Sequence, residues 1–354
     1  MKLAPLWTLV APIAGWLLLG GTYLGWGDLY LFLVAIGLAA CIVAAVYHAE
    51  VVAHRVGEPF GTLILALAIT VIEVALILVL MIAGGDDANT IARDTVFAAV
   101  MIILNGMVGL CLLVGSSRYG EQEFTLSGTT ASLTTLTAIA VLTLILPNYT
   151  ATTPGPYYSP AQLGFIAVVS LVLYGTFVVV QTIRHRKHFL PAGGEEEHGE
   201  RPSSRAAITS AVMLVIALAA VVLEAKALAP ALENLVLAIG APQAGVGVLI
   251  AMLVLGPEAY AALRAAYANR LQTALNLSLG SALASIGLTI PAVAVLSLVT
   301  GRTLALGLDS MGTALLVLSL FIAALSLGTG RTTVLQGIVH LVIFAVYLFT
   351  TAIP

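Results

Sequence analysis

Charge is what this sequence has least of. Of its 354 residues, 14 are Lys or Arg and 17 are Asp or Glu, only 9% in all, against 60% hydrophobic residues. Mean hydropathy is +1.08. A chain so poor in charge cannot clothe a soluble domain, so the composition indicates a polytopic membrane protein. The net charge of −3 carries no basic footprint for a nucleic acid. Cysteine is almost absent. Cys41 and Cys111 fall inside apolar runs, without CxxC or any His/Cys ligand spacing, and read as small core residues rather than a disulfide or metal site. No GxxxxGK[ST] occurs, which argues against an ATP-driven pump. GxSxG and HExxH are missing too, and neither mid-membrane glutamate has a neighbouring histidine, so an enzyme is not indicated and no cofactor is called for. The N-terminus has one lysine and an apolar run but no small-residue cleavage site, which reads as a retained first span.

What the chain does have is long apolar runs. Breaks at charge, Gly or Pro give eleven candidate helices at roughly 5–25, 28–48, 61–83, 95–115, 126–147, 161–182, 206–224, 242–265, 274–299, 310–327 and 332–353. Threading them alternately puts eleven basic residues on one side: Lys2, Arg55, Arg118, Arg184, Arg186, Lys187, Arg201, Arg205, Arg264, Arg270 and Arg331. Only Arg93, Lys226 and Arg302 fall on the other. Positive charge stays inside, so the expected orientation has a cytoplasmic N-terminus and an external C-terminus.

One long polar stretch, RHRKHFLPAGGEEEHGERPSSR, follows the sixth span. Its His185, His188 and His198 near Glu195, Glu196, Glu197 and Glu200 read as solvated charge, with metal sensing as the alternative. The linker divides the chain into an extra helix at 1–27, a five-helix unit at 28–182, the linker itself at 183–205, and a second five-helix unit at 206–354. An odd number of spans per unit inverts the second relative to the first, and inverted repeats are a transporter architecture. The expected fold is therefore an all-α polytopic protein of eleven spans, one extra plus two inverted repeats.

Each half carries an acid inside an apolar span, Glu73 in the third and Glu258 in the eighth. Most of the other fifteen acids map to loops or helix ends, with Glu224 the hardest to place. A charge at the bilayer centre costs roughly 2.5–3.5 kcal/mol even on lenient scales, so an acid there marks a functional site. Pro257, beside Glu258, lacks an N–H and frees the carbonyl of Leu253, predicting a break in the helix. In the ninth span Ser278, Ser281 and Ser285 form a polar stripe that Thr289 continues, flanked by Asn276 and Gly280, and Pro291 frees the carbonyl of Gly287. Asn105, followed by Gly106 and Gly109, is either a ligand or an interhelical hydrogen bond. Gln336 and His340 lie one turn apart, the histidine reading as an interhelical contact. Two carboxylates with hydroxyls and carbonyls make an all-oxygen donor set suited to hard cations such as Ca²⁺ or Na⁺. Loss of water favours the neutral acid, so the same groups can hold protons until a cation displaces them.

The segments HRVGEPFGTLILALAITVIEVALI, RDTVFAAVMIILNGMVGLCLL, LGPEAYAALRAAYANRLQTALNLSLGSALASIGLTIP and TGRTTVLQGIVHLVIFAVY resemble the bacterial sodium/potassium–calcium:proton antiporters. These belong to the calcium/proton exchanger family of the calcium/cation antiporter superfamily. The resemblance implies eleven helices in one extra helix and two inverted repeats, with an acidic cytoplasmic linker. It implies that Glu73 and Glu258 carry cation and proton in turn, and that Asn105, Ser281 and Ser285 lie in the matching helices. The wider family carries Gly-Asn-x-x-Glu in both repeats; here Thr70 and Leu255 stand three residues before the glutamates, and Ala259 follows Glu258 where many relatives have histidine. The candidate cation and proton set is thus Glu73, Glu258, Asn105, Ser281, Ser285, Thr70 and the Leu253 carbonyl. Lost neutral ligands point to weaker Ca²⁺ selectivity, admitting Na⁺ or K⁺. The alternative is a monovalent-cation/proton antiporter with little Ca²⁺ activity.

Overall fold

The structure, a computed structural model, describes residues 5–22, 27–57, 60–83, 85–189, 202–238 and 244–353. The acidic part of the linker, with Glu195, Glu196, Glu197, His198 and Glu200, lies outside them, as do Lys2 and Arg201. The described residues form eleven helical rods. They are α1 (Leu6–Thr22), α2 (Asp28–Val56), α3 (Phe60–Ala83), α4 (Ala88–Tyr119), α5 (Leu126–Tyr149), α6 (Pro160–Arg184), α7 (Ser204–Ala238), α8 (Ala244–Tyr267), α9 (Leu271–Thr300), α10 (Ser310–Ser326) and α11 (Val334–Ala352). Eight of these contain a stretch long and apolar enough to cross a bilayer; α1, α10 and the stretch Leu67–Ile82 of α3 are shorter apolar helices. Strand structure among the described residues is limited to Gln122–Glu123 paired antiparallel with Arg331–Thr332 and one isolated bridge, Tyr157 with Ala305.

Two expectations about helix ends change. The seventh rod runs to Ala238, well past the predicted end at residue 224, because Lys226 and Pro230 sit within it on its exposed side. The predicted break at Pro257 is not seen, for α8 is helical through it from Ala244 to Tyr267. Proline removes one rung of the ladder, and the rungs on either side carry the helix across. Pro291 is likewise inside an unbroken α9.

The chain forms two compact units, one of residues 1–88 and 197–246, the other of 89–196 and 247–354. Each draws on both sides of the linker. The first holds α1, α2, α3 and α7. Its α1 contains Pro12, which leaves the Thr8 carbonyl without an amide one turn later. His48 of α2 takes that carbonyl through Nε2 at 3.0 Å. A carbonyl only accepts, so Nε2 carries the proton and Nδ1 accepts from Ser210 Oγ of α7 at 3.2 Å. Trp16 Nε1 donates to the Ile216 carbonyl at 3.2 Å, and the Tyr30 hydroxyl to the Leu18 carbonyl at 2.6 Å. The helix read as an extra one is thereby tied by hydrogen bonds to α2 and α7.

In the second unit α4 and α9 form the core: 89% of the most apolar stretch of α4 is buried, against 22% for α11. The α4 rod is α-helical at Ile91–Met101 and Val108–Tyr119, with a π-helical segment, Ile102–Met107, between them. Gly109 and Gly337 bring α4 and α11 close together. A Cβ at Gly337 would lie 2.5 Å from the Leu113 nitrogen, 2.9 Å from its Cα and 3.0 Å from the Gly109 carbonyl. Backbone cannot yield as a side-chain tip does. Gly337→Ala should therefore destabilise the protein by about 1–3 kcal/mol, the usual cost of overpacking. Thermal unfolding in detergent measures this, with Gly175→Ala as the control, since nothing lies within 4 Å of a Cβ there.

Candidate functional site

Glu258 lies on α8 of the second unit, 6% exposed. Ser281 of α9, itself buried, donates its hydroxyl hydrogen to Glu258 Oε2. Ser285, one turn further along α9, is also buried. The serine stripe is not uniform, however. Ser278 donates to the Ala274 carbonyl of its own helix at 2.7 Å, which spends its hydrogen inside α9. Asn276 is occupied as well, donating to the Phe189 carbonyl, which follows a short 3₁₀ turn after α6. Thr289 continues the stripe with a buried hydroxyl that has no hydrogen-bond partner among the described residues. Leu253, one turn before Pro257, is half-buried.

Asn105 sits in the π-helical segment, fully buried among groups from α10 and α11. Ser319 gives its one hydrogen to the Leu315 carbonyl at 2.7 Å, so its oxygen must accept from Asn105 Nδ2 at 2.8 Å. That orientation turns Asn105 Oδ1 towards His340, whose Nδ1 donates to it across 3.2 Å. His340 Nε2 then carries the lone pair, and no donor reaches it among the described residues. The interhelical reading of the histidine holds. Gln336 does something separate: its Oε1 accepts from the Thr333 amide at 2.6 Å and caps α11.

In the first unit Thr70 and Glu73 lie three residues apart on α3, each 3% exposed. Side chains at that spacing share one helix face. Among the described residues no group of three or more His, Cys, Asp or Glu is arranged to hold a metal ion. Each unit thus holds one of these buried carboxyls, with hydroxyl oxygens on its own helices beside it.

Sequence reading missed Glu224. It is 0% exposed and lies inside α7, not at its end. The nearby Lys226 and Pro230 disguised the position as a helix terminus. Ser319 was missed too, since a lone serine in an apolar run gives no signal of its own.

The chain is 46% identical to the protein y4hA of Sinorhizobium fredii, over 99% of its own length and 97% of that protein's. It is 38% identical to the sodium-potassium/proton antiporter ChaA of Escherichia coli, over 90% of its length and 87% of the relative's. Its fold matches the solved H⁺/Ca²⁺ exchanger CAX with a TM-score of 0.73 at 14% identity, covering 97% of this chain and 87% of that one. The model of the sodium/calcium exchanger proteins matches residues 26–183 and 209–352. With a model spanning both halves and relatives along nearly the whole chain, this multi-pass membrane protein belongs to the sodium/calcium exchanger family of transporters.

Proposed function

We propose that this protein is a secondary-active antiporter that exports Ca²⁺, with Na⁺ or K⁺ as further substrates, in exchange for entering protons. The observation that carries the reading is Glu258, an acid sealed within an apolar helix and held by the Ser281 hydroxyl. Carboxylate, hydroxyl and carbonyl oxygens are the ligands hard cations take. Ser285, Asn105 and the Leu253 carbonyl supply neutral oxygens in the second unit. Glu73, with Thr70 one turn before it, plays the corresponding part in the first. Relatives named as a sodium-potassium/proton antiporter and an H⁺/Ca²⁺ exchanger support the same reading.

The chemistry follows from the cost of buried charge. Two ionised acids in an apolar layer are expensive. Two protons neutralise them, and so does one Ca²⁺. Either loaded form can change conformation, while the empty, doubly charged form is held back. Exchange without ATP needs no more than that.

The reading includes an arrangement of inverted repeats at 28–182 and 206–354, an extra helix at 1–27 and a cytoplasmic linker at 183–205. It sets the protein in the bacterial cytoplasmic membrane with the N-terminus inside. The eleven-to-three basic asymmetry supports that orientation. A reporter fused after Pro354 should be active only if it works in the periplasm, and cytoplasmic activity there would overturn the orientation.

A monovalent-cation/proton antiporter with little Ca²⁺ activity is the second reading. Thr70 and Leu255 favour it, standing where the wider family has asparagine. Fluorescence of a pH dye in everted vesicles decides. Proton release on adding Ca²⁺ supports the first reading, and release with Na⁺ or K⁺ alone selects the second. No release with any of the three rejects antiport.

A further inference from the structure

Glu224 has no part in the exchange just described, yet both its oxygens are enclosed. Helices α1 and α2 of the first unit lie against it. A Cβ at Gly15 of α1 would lie 3.1 and 3.3 Å from Oε1 and Oε2, and one at Gly37 of α2 would lie 2.8 Å from Oε1. Two helices thus present bare backbone at this point, and the room they leave is shared by the carboxyl group with the Cys41 sulfur and the end of the Leu18 side chain. Neither oxygen meets a nitrogen or oxygen donor among the described residues. The Cys41 thiol of α2 lies against the same cradle, within reach of the Glu224 carboxyl as well as of the Ala11 carbonyl at 3.5 Å.

Among the described residues no countercharge faces the acid. The α1 segment Leu6–Thr22 contains no ionisable side chain. From α2 the facing titratable group is Cys41. The α3 helix also packs on α7, and its one ionisable residue is Glu73. Lys226, two residues along α7, is exposed. An ionised carboxylate buried without a partner is very costly, while the neutral acid costs only an unmet polar group. The cradle therefore favours the acid with its proton on.

We propose that Glu224 is a third proton-binding carboxyl, separate from Glu73 and Glu258, whose occupancy sets the pH dependence of exchange without its touching the transported cation. When the proton leaves, an uncompensated anion presses on the backbone at Gly15 and Gly37, and the packing of α1 and α2 on α7 weakens. Proton occupancy here is thus coupled to the conformation of the unit that holds Glu73.

The test uses full-length protein in liposomes at saturating cation; the carrier acids give every variant the same pH dependence, so each profile is read against the parent's. Cation-driven proton flux is followed from about pH 5.5 to about pH 9 for the parent, Glu224→Gln and Glu224→Asp. Glutamine mimics the neutral acid permanently. Its profile should coincide with the parent's on the acid side and depart from it by about fivefold or more at the alkaline end. Aspartate should restore the pH dependence with a displaced midpoint. Superimposable parent and glutamine profiles would reduce Glu224 to a space-filler. A second measurement needs no variant: an apolar carbodiimide modifies protonated carboxyls, and peptide mass locates the adduct. Modification of Glu224 that falls as pH rises supports the proposal; modification that ignores pH, or none at any pH, overturns it. Peptides bearing Glu73 and Glu258 are resolved separately, so failure of those assignments is read independently.

Discussion

Glu73→Gln and Glu258→Gln should each abolish Ca²⁺/H⁺ exchange while the protein still inserts and folds. Glutamine keeps the shape and the hydrogen-bonding capacity of the acid and removes its charge and its titrating proton. One remaining carboxylate cannot neutralise a divalent cation, and an uncompensated buried charge is very costly. The neutral ligands behave differently. Ser281→Ala leaves Glu258 Oε2 without its hydroxyl donor, and Asn105→Ala strips Ser319 and His340 of their partner. Each unmet group costs about 1–3 kcal/mol, so these variants should show weaker affinity or altered ion preference with transport retained. Uptake assays in vesicles with Ca²⁺, Na⁺ and K⁺ separate the two classes. Exchange near the parent rate in either glutamine variant would remove that residue from the carrier role.

Cation affinity should fall steadily as pH falls. At low pH the carrier acids hold protons, and a cation binds only by displacing them, so binding releases protons. Each proton displaced makes the apparent affinity drop about tenfold per pH unit on the acid side, and Ca²⁺ displacing two should drop about a hundredfold. At high pH the acids are already ionised and the affinity levels off. The sign is fixed: protons inhibit, and never promote, cation binding. Titration of purified protein from about pH 6 to about pH 9 checks this. An affinity flat across that range would exclude competition for the same carboxylates.

The apolar runs made the architecture legible, because a bilayer demands about twenty apolar residues per span and this chain supplies little else. Glu73 and Glu258 were legible for the converse reason, as acids in the middle of such runs. What could not be read is which of several equivalent groups is already spent. Ser278 and Ser281 share a spacing, yet one bonds back to its own helix and the other reaches Glu258. Pro257 gave a sound local reason for a break, and the continuous helix on either side outweighed it. Glu224 was hidden by its neighbours in sequence, since Lys226 and Pro230 resemble a helix terminus until the surrounding helices are in place. Burial is decided by residues distant along the chain, and local pattern does not encode it.

The π-helical segment Ile102–Met107 has a bearing on how such chains can diverge. A π turn accommodates one residue more than the α-helix around it, so α4 holds an insertion without growing longer. Deleting any one residue there would let the rod close into a regular helix at almost the same length. Because a π turn also winds less per residue than an α turn, the rods on either side would keep nearly the same phase about the axis. Gly109, which meets Gly337 across the crossing with α11, would stay at the crossing. A single-codon gap at this point is therefore close to neutral in both length and phase, whereas a gap in the α-helical part would turn everything beyond by roughly 100°. Relatives that align with a gap inside the segment should retain glycine at both positions.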